Sequence, residues 1–320
     1  MEAKIFDGSG TAYALPSLIA WEINHGFCSP SDSFELTFLY LPEMLLPLTG
    51  ACRMQADNGG ETVFYGVVDE FELSAGGGGC YCVLRGRGMQ ALLLDSEAES
   101  ADYFGADVEY ILSRHVRPLG VTDIDPGAAA GKKASFSVSS GESHWSVLKR
   151  YAEFCLGRQP RFTKEGKLLL DGARSGRTLL VDDSTAVTAQ TYNMDRYGVV
   201  SEAIVKTRSY GTRVTVKNPE IISLGGQCIR VINVPRKTAY DSMKHTGAYQ
   251  IEQSRKDLFR CRITLPQCFA TIPGDKVILK KTPLGITGEY IVTATRSYAS
   301  GAAAGTVIDL RKEGSANVVG

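Results

Sequence analysis

A serine and a lysine in the middle of the chain match a spacing that some hydrolases use. Ser146 and Lys149 fit the pattern S-x-x-K, in which a lysine activates a serine nucleophile. The companion motifs S-D-N and K-T-G are missing from the sequence. The pair also falls near the start of an amphipathic segment, where serine and lysine are ordinary surface residues. We therefore interpret the two residues as part of a helix surface and not as a catalytic dyad.

Cys80 and Cys82 are the one closely spaced pair among the eight cysteines. Residues two apart on a strand face the same side, so the pair has the geometry of half a metal site. A structural zinc ion needs four ligands, and the histidines stand apart from each other and from the cysteines. They are His25, His115, His144 and His245. We predict no metal and no cofactor, and we interpret the cysteines as reduced, buried thiols that pack like small apolar residues.

Two other patterns resemble parts of known sites. Residues 127–133 approach a phosphate-binding loop, but the spacing is one residue short and the Ser or Thr that holds the metal ion is missing. Acidic residues cluster at 69–72 and at 182–183, as paired carboxylates do in glycosidases. Adjacent strand residues point to opposite faces, however. We interpret the first segment as a loop and the acidic residues as solvated, and we predict that the chain is not an enzyme.

Charge is distributed unevenly along the chain. The 35 basic and 35 acidic residues cancel, which argues against a general nucleic-acid-binding protein with a basic surface. Residues 1–130 carry 6 basic and 19 acidic side chains, a net of −13, and residues 131–320 carry 29 and 16, a net of +13. This division indicates either two domains of unlike composition or a building block whose opposite faces favour head-to-tail or ring contacts.

The sequence shows no segment that would direct the chain into a membrane. The first residues lack the basic and apolar regions of a signal peptide, and no apolar stretch approaches the ~18 residues needed to span a bilayer. We expect no membrane anchoring and a cytoplasmic compartment with reduced cysteines. The length of 320 residues predicts two to four domains, since a domain has about 100–200 residues.

Hydrophobic periodicity divides the chain into three regions, namely a β region, a mixed α and β region and a second β region. Residues 34–40 and 62–68 alternate apolar and polar side chains, with turns at 57–60 and 76–79. In the middle, Asp107 is expected to cap a helix that Pro118 ends. A second helix is predicted over 143–156 with Gly157 as its C-cap, followed by a hairpin over 161–170.

From about residue 175 the alternating pattern returns, with one helical interruption at about 238–256. Strands are predicted at 178–181, 203–208, 213–217, 227–232, 276–280, 289–296 and 306–311. The residues alone therefore predict a β domain at each end of the chain and α+β material between and within them.

The order of these segments is more specific than any single motif. A strand at 81–85 runs through Arg85-Gly86-Arg87-Gly88 into a Leu-rich helix at 89–94. The segments 104–112, 151–157, 166–170, 272–277 and 288–293 follow in turn. This progression, from about 15 to 312, resembles the baseplate hub proteins of contractile phage tails, of the Mu-type late-control and Bacillus defective-prophage kind. Related hubs occur in phage-tail-like bacteriocins.

The resemblance implies a β-rich α+β fold with two tube-like antiparallel β-barrel domains and small α+β domains. We expect the first barrel at 1–88, a small α+β domain at 89–175 and the second barrel at 176–320, with a helical insert near 236–258. The resemblance also implies a homotrimer whose six barrels match the hexameric tail tube and adapt it to the threefold central spike. Tail tube, spike, tape-measure and other baseplate proteins are the implied partners, with assembly in the bacterial cytoplasm and a final place in the baseplate of a phage or phage-tail-like particle.

Two other functions remain open at the level of the sequence. One is a tail-associated cell-wall hydrolase, and the other is a monomeric β-rich module that binds glycan or nucleic acid through residues such as Tyr192, Arg196 and Tyr197. For the hub, unpaired edge strands would be covered by a neighbouring protomer. We predict 203–208 and 289–296 as such strands.

Overall fold

The computed structural model describes residues 1–26, 32–127, 133–156, 159–172, 176–207, 211–235, 238–255 and 258–312. The chain forms two units. Unit 1 comprises Met1–Arg177, Thr264–Asp275 and Val292–Ile308, and unit 2 comprises Thr178–Ile263, Lys276–Ile291 and Asp309–Gly320. The C-cap predicted at Gly157 and most of the loop predicted at 127–133 lie outside the described residues. The predicted domain limits stay a prediction.

The N-terminal part of unit 1 is built from seven strands and one short helix. They are β1 (Glu2–Asp7), β2 (Ala12–Ala14), β3 (Leu18–Gly26), β4 (Ser33–Leu39), α1 (Leu45–Gly50), β5 (Ala51–Asn58), β6 (Glu61–Gly76) and β7 (Gly79–Gly88). A 3-10 turn at Pro42–Met44 precedes α1.

The following part of unit 1 alternates helices with short strands. Its elements are α2 (Ala91–Leu94), β8 (Ala101–Asp107), α3 (Val108–His115), β9 (Ile124–Asp125), β10 (Lys133–Val138), α4 (His144–Leu156), β11 (Arg161–Phe162) and β12 (Leu168–Leu169). A second 3-10 turn lies at Arg117–Leu119.

The remaining elements belong to unit 2 or to both units. They are β13 (Thr178–Val181), β14 (Ala189–Met194), β15 (Glu202–Thr207), β16 (Arg213–Lys217), α5 (Pro219–Ser223), β17 (Ile229–Val234), α6 (Tyr240–Arg255), β18 (Phe259–Leu265), β19 (Lys276–Leu279), β20 (Gly288–Ala299) and β21 (Ala304–Lys312).

The large sheet of unit 1 has the order β2-β1-β5-β6-β7-β4-β3-β20, and each of these pairs is antiparallel. Its core follows from strand alternation, since Phe34, Leu36 and Phe38 on β4 are buried whereas Glu35 and Leu39 are exposed. The turns predicted at 57–60 and 76–79 connect β5 to β6 and β6 to β7, so both hairpins are confirmed.

The α+β part of unit 1 has its own core. Ile111, Leu112, Val147, Leu148 and Tyr151 on α3 and α4 are fully or almost fully buried in it. The Asp107 side chain accepts a hydrogen bond from the backbone N–H of Tyr110, so the predicted N-cap is confirmed. The helix predicted over 143–156 is α4, and the hairpin predicted over 161–170 is the antiparallel pair β11–β12.

Unit 2 contains a separate three-stranded sheet with the order β16-β15-β17. The helix α6 is the one predicted at about 238–256, and it packs on β15 and β16. A Cβ atom on Gly247 of α6 would lie 2.7 Å from Val216 and 3.3 Å from Val205, so the helix needs glycine at this close approach. Two pairs of unit 2 are parallel, β13–β19 and β15–β17, which strand alternation does not predict.

The prediction that residues 203–208 and 289–296 form edge strands is wrong. β15 is the central strand of its sheet, hydrogen-bonded to β16 on one side and β17 on the other. β20 lies between β21 and β3 in its sheet, pairing with β3 through residues 294–299, and it also pairs with β19 through residues 288–291. Alternation reports which face of a strand is buried, but it carries no information about the strand's lateral neighbours.

Overall the molecule is a β-rich α+β protein, as predicted. None of the helices in the described part of the chain is long and apolar enough to cross a membrane.

Candidate functional site

Unit 1 contains a cavity of about 480 Å³. One wall comes from α4, a second from the end of β7 and α2, and a third from the turn between β11 and β12. The side chains that matter for its chemistry are His25, Asp32, Trp145, Lys149, Arg161, Phe162 and Lys164. The volume lies in the range of small-molecule pockets, about 300–1,000 Å³.

His25 and Asp32 form a buried ion pair at the cavity wall. The imidazole Nδ1 lies 3.0 Å from Asp32 Oδ2, and Nε2 lies 3.0 Å from the Val63 carbonyl oxygen. Both partners are acceptors, so both ring nitrogens must carry a proton to satisfy them. Burial by itself would lower the pKa of His25, but Asp32 and the Val63 carbonyl outweigh it and raise that pKa above its usual value. Asp32 and the Val63 carbonyl thus favour the protonated form of His25.

Three further cations line the cavity. Lys149 Nζ lies 4.0 Å from Glu153, and Lys164 Nζ lies 3.5 Å from Glu61 and 3.9 Å from Glu165. The guanidinium of Arg161 donates to the Pro273 carbonyl at 3.4 Å. Burial lowers the pKa of Arg161, although Asp275 and other carboxylates oppose this effect. The lysine pairs are at the long end of ion-pair distances and lack hydrogen-bond geometry.

The cavity also has an aromatic wall. The rings of Trp145 and Phe162 have centroids 6.2 Å apart with planes tilted by 30°. Met89 and Pro273 extend this wall with buried apolar surface. The site therefore combines an apolar side with a charged side, on which the carboxylates of Asp32 and Glu165 lie among the cations.

The S-x-x-K residues Ser146 and Lys149 both line this cavity. The Ser146 hydroxyl lies 3.0 Å from the Ser143 hydroxyl. Lys149 Nζ lies 4.0 Å from Glu153 on the same helix. The interpretation of the pair as helix surface residues stays a prediction.

A second histidine site lies in the core of the α+β part. Tyr103 Oη is 2.7 Å from His115 Nε2, and His115 Nδ1 is 2.9 Å from His144 Nδ1. Burial lowers the pKa of His144, although the backbone of Glu97 opposes this effect. Burial, with His144 and Arg114, lowers the pKa of His115 to about 4.

The cysteines only partly match the prediction of buried thiols. Cys82 and Cys261 are buried, but Cys80 and Cys228 are exposed. Cys80 sits at the open tip of the β6–β7 hairpin, where the sheet ends and no longer covers it. No group of three or more metal-ligating side chains occurs among the described residues.

The acidic cluster at 69–72 is neutralised by arginines of β7. Arg87 forms a two-point pair with Asp69 at 2.7 and 2.9 Å and also binds Asp95. Arg85 bonds to Glu35 and Glu70. These pairs are partly exposed and lie on the outer face of the sheet, so the predicted solvated face is confirmed.

Strand β17 is an exposed edge with apolar side chains. It pairs with β15 on one side, and the described residues supply no strand partner on the other. Ile229 and Val231 are aligned with Glu202 and Ile204, on the face opposite to α6. Ile229 and Val231 are 59% and 52% exposed. An open strand edge is a hazard for aggregation unless a partner covers it.

A second exposed apolar surface lies at the β4–α1 connection. Leu39, Leu41, Leu45 and Leu46 are 49%, 43%, 49% and 82% exposed, whereas Met44 and Leu48 are buried. Scattered exposed leucines are normal, but here four occur within eight residues.

The two units have opposite net charge. Unit 1 has 17 basic and 24 acidic residues, a net of −7, and unit 2 has 18 and 11, a net of +7. The charge asymmetry seen along the sequence is therefore also an asymmetry between units.

The fold is that of phage tail proteins, which confirms the resemblance seen in the sequence at the level of fold. The tail protein of Neisseria meningitidis MC58 has a TM-score of 0.74 and 18% identity, with 98% of this chain and 96% of that chain covered. The 43 kDa tail protein of prophage MuSo2 from Shewanella oneidensis has a TM-score of 0.77 and 17% identity, with 98% and 99% covered.

A component of the type VI secretion system of Escherichia coli is also similar. Its TM-score is 0.55 at 11% identity, with 92% of this chain and 73% of that chain covered, and it is described as similar to the T4 tail proteins gp27 and gp5. No protein-family model and no curated protein sequence matches the chain.

Proposed function

We propose that this chain is a structural tail protein, the baseplate hub of a contractile tail, and that it assembles as a homotrimeric ring. The observation that carries the proposal is the fold match over 98% of the chain to two phage tail proteins that it covers almost completely. In this ring, three protomers with two tube-like β domains each present six similar contacts to a hexameric tail tube. The same threefold ring meets a threefold central spike.

Contacts with the tail tube, the spike, the tape-measure protein and other baseplate proteins follow from this proposal, as does a final place in a phage or phage-tail-like particle. Two surfaces support it. The exposed edge of β17 needs a cover, and the opposite charges of units 1 and 2 favour contacts between unlike surfaces of neighbouring protomers. No observation among the described residues favours the cell-wall hydrolase, since the Ser146 hydroxyl is partnered by Ser143 and Lys149 by Glu153.

The glycan- or nucleic-acid-binding module also gains no support from the geometry. Tyr197 is 95% exposed, but Tyr192 stacks on Phe259 at a centroid distance of 6.4 Å. Tyr192 is therefore already engaged with another ring of the protein.

The test is the mass of the purified chain by light scattering during gel filtration, over a range of concentrations. We expect a mass of three protomers that appears as concentration rises. The variant Ile229→Lys/Val231→Lys places charge on the β17 edge and should shift the equilibrium to monomer. Ile222→Lys is the matched control, since Ile222 is 44% exposed on α5.

A monomer at every concentration, both alone and with tube and spike proteins added, would overturn the proposal. If the trimer stays intact in both Ile229→Lys/Val231→Lys and Ile222→Lys, the hub proposal stands but the β17 edge is not the contact between protomers. Electron microscopy of the trimer mixed with tube protein then shows directly whether the ring caps the tube.

A further inference from the structure

We propose that the cavity of unit 1 is a binding site for a carboxylate attached to a compact apolar body. Such a ligand is either a free organic acid or the carboxy-terminal residue of a partner polypeptide. The inference is independent of the proposed hub function, because it rests only on the side chains that line the cavity.

The first argument is size and enclosure. The volume of about 480 Å³ accommodates a ligand of the size of one aromatic amino-acid residue with its flanking groups, and pockets of this size are typical for small ligands. Part of the wall is anchored in the fold, since His25 and Met89 are buried and Trp145 lies in the first turn of the 13-residue helix α4.

The second argument is the division of the wall by polarity. Trp145 and Phe162 form an aromatic surface, against which an apolar ligand body gains from burial and ring contacts. The ammonium groups of Lys149 and Lys164 belong to the same cavity. A ligand with one apolar end and one anionic end matches both surfaces at once.

The third argument is that the two lysines lie farther from their carboxylate partners than a strong hydrogen bond requires. Their carboxylate partners lie at 3.5–4.0 Å, whereas a charge-assisted hydrogen bond is about 2.7–2.9 Å long. By contrast, His25 and Asp32 already satisfy each other at 3.0 Å. The pair shapes the wall, and the lysines recognise the anion.

The experiment uses the fluorescence of Trp145 as a local reporter. The chain has two tryptophans, so Trp21→Phe leaves Trp145 as the single one. The full chain is titrated with N-acetylphenylalanine and, separately, with N-acetylphenylalanine amide, which has the same body without the carboxylate. We expect a saturable change with the acid and at least tenfold weaker binding of the amide.

Lys149→Gln and Lys164→Gln are each expected to weaken binding of the acid about fivefold to tenfold, because each removes one charged hydrogen-bond donor. Lys167→Gln is the matched control. Lys167 is close to the same hairpin turn and its side chain is 39% exposed, compared with 41% for Lys149, but it does not line the cavity. Its substitution should leave the affinity unchanged.

Equal binding of the acid and the amide would overturn the carboxylate assignment. No saturable change with the acid up to 10 mM (a concentration on the order of ten times a 1 mM dissociation constant) would overturn the site as a whole. A pentapeptide that ends in phenylalanine distinguishes the two sources. If it binds like the free acid, the site admits a chain terminus, and if it does not, the site takes small acids only.

Both results are independent of the oligomeric state. A chain that binds the acid as a monomer would retain this inference while the hub proposal failed. A trimer that does not bind the acid would support the hub proposal and overturn this inference.

Discussion

At the residue scale, the two buried histidine sites respond to pH in opposite directions. The protonated form of His25 is favoured by two acceptors, and His115 is held neutral between Tyr103 and His144. The difference arises from the neighbours, since a carboxylate favours the charged imidazole and a second imidazole disfavours it. Each site therefore stabilises the fold on a different side of neutral pH.

His115 should make the protein less stable in acid. Its pKa falls from 6.5 to about 4 on folding, so the unfolded chain binds the proton first and stability is lost as pH falls from 6.5 towards 4. By linkage the loss at pH 5 is about 2 kcal/mol. Urea unfolding at pH 7.5 and pH 5 measures it, and His115→Gln should remove most of this pH-dependent loss. An equal loss in the variant would contradict the assignment.

His25 should have the opposite effect. Its pKa is raised on folding, so its stabilising contribution is complete below pH 6.5 and is lost as pH rises through the pKa of the folded state. In Asp32→Asn, burial without the carboxylate should bring that pKa below 6.5. NMR titration of the imidazole follows this change directly, with Asp123→Asn as a control at an exposed aspartate. An unchanged His25 titration in Asp32→Asn would contradict the ion pair.

At the element scale, the hairpin strands of unit 1 require glycine at a close approach. A Cβ atom on Gly86 of β7 would lie 2.0 Å from the Val67 carbonyl oxygen and 2.6 Å from Phe34. The Arg-Gly-Arg-Gly segment that marked the resemblance in sequence thus has a packing function. Arg85 and Arg87 project to the outer face, where they pair with carboxylates, and Gly86 between them faces the core.

Gly86→Ala should therefore destabilise unit 1 by about 3 kcal/mol, at the upper end of the cost of overpacking a core. Urea unfolding at neutral pH gives the value. Gly77→Ala is the matched control, because Gly77 lies at the β6–β7 hairpin tip and a Cβ atom there would meet nothing within 4 Å. If Gly77→Ala lowered the free energy of unfolding as much as Gly86→Ala does, the close approach at Gly86 would not be the cause of the destabilisation.

At the scale of the whole molecule, the equal and opposite charges of the two units should make self-association depend on salt. Contacts between unlike charges on exposed surfaces weaken when ions screen them, with a screening length of about 10 Å at 0.1 M and about 3 Å at 1 M. If the proposed trimer forms through such contacts, we expect it to dissociate at about tenfold higher protein concentration in 1 M than in 0.1 M salt. Light scattering at both salt concentrations measures this. An unchanged or stronger trimer in high salt would indicate an apolar contact, such as the leucine surface at 39–46.

Local structure and the order of the segments could be predicted from the residues alone. Asp107 as an N-cap, the hairpin turns at 57–60 and 76–79, and the helices α4 and α6 were all predictable, because capping, turn conformation and periodicity depend on residues near each other in the chain. The linear order of these segments was also enough to predict the fold of a phage tail protein.

Which distant residues meet follows from the fold and could not be predicted from local patterns. No local pattern indicates that β15 is a central strand and β17 an edge, since strand neighbours are set by long-range pairing. The same holds for the cavity, where His25, Lys149 and Lys164 come from three separate segments. It also holds for His115 and His144, which looked isolated in the sequence and are hydrogen-bonded in the fold. Chemistry between side chains depends on distances of about 3 Å, and the folded chain alone sets these distances.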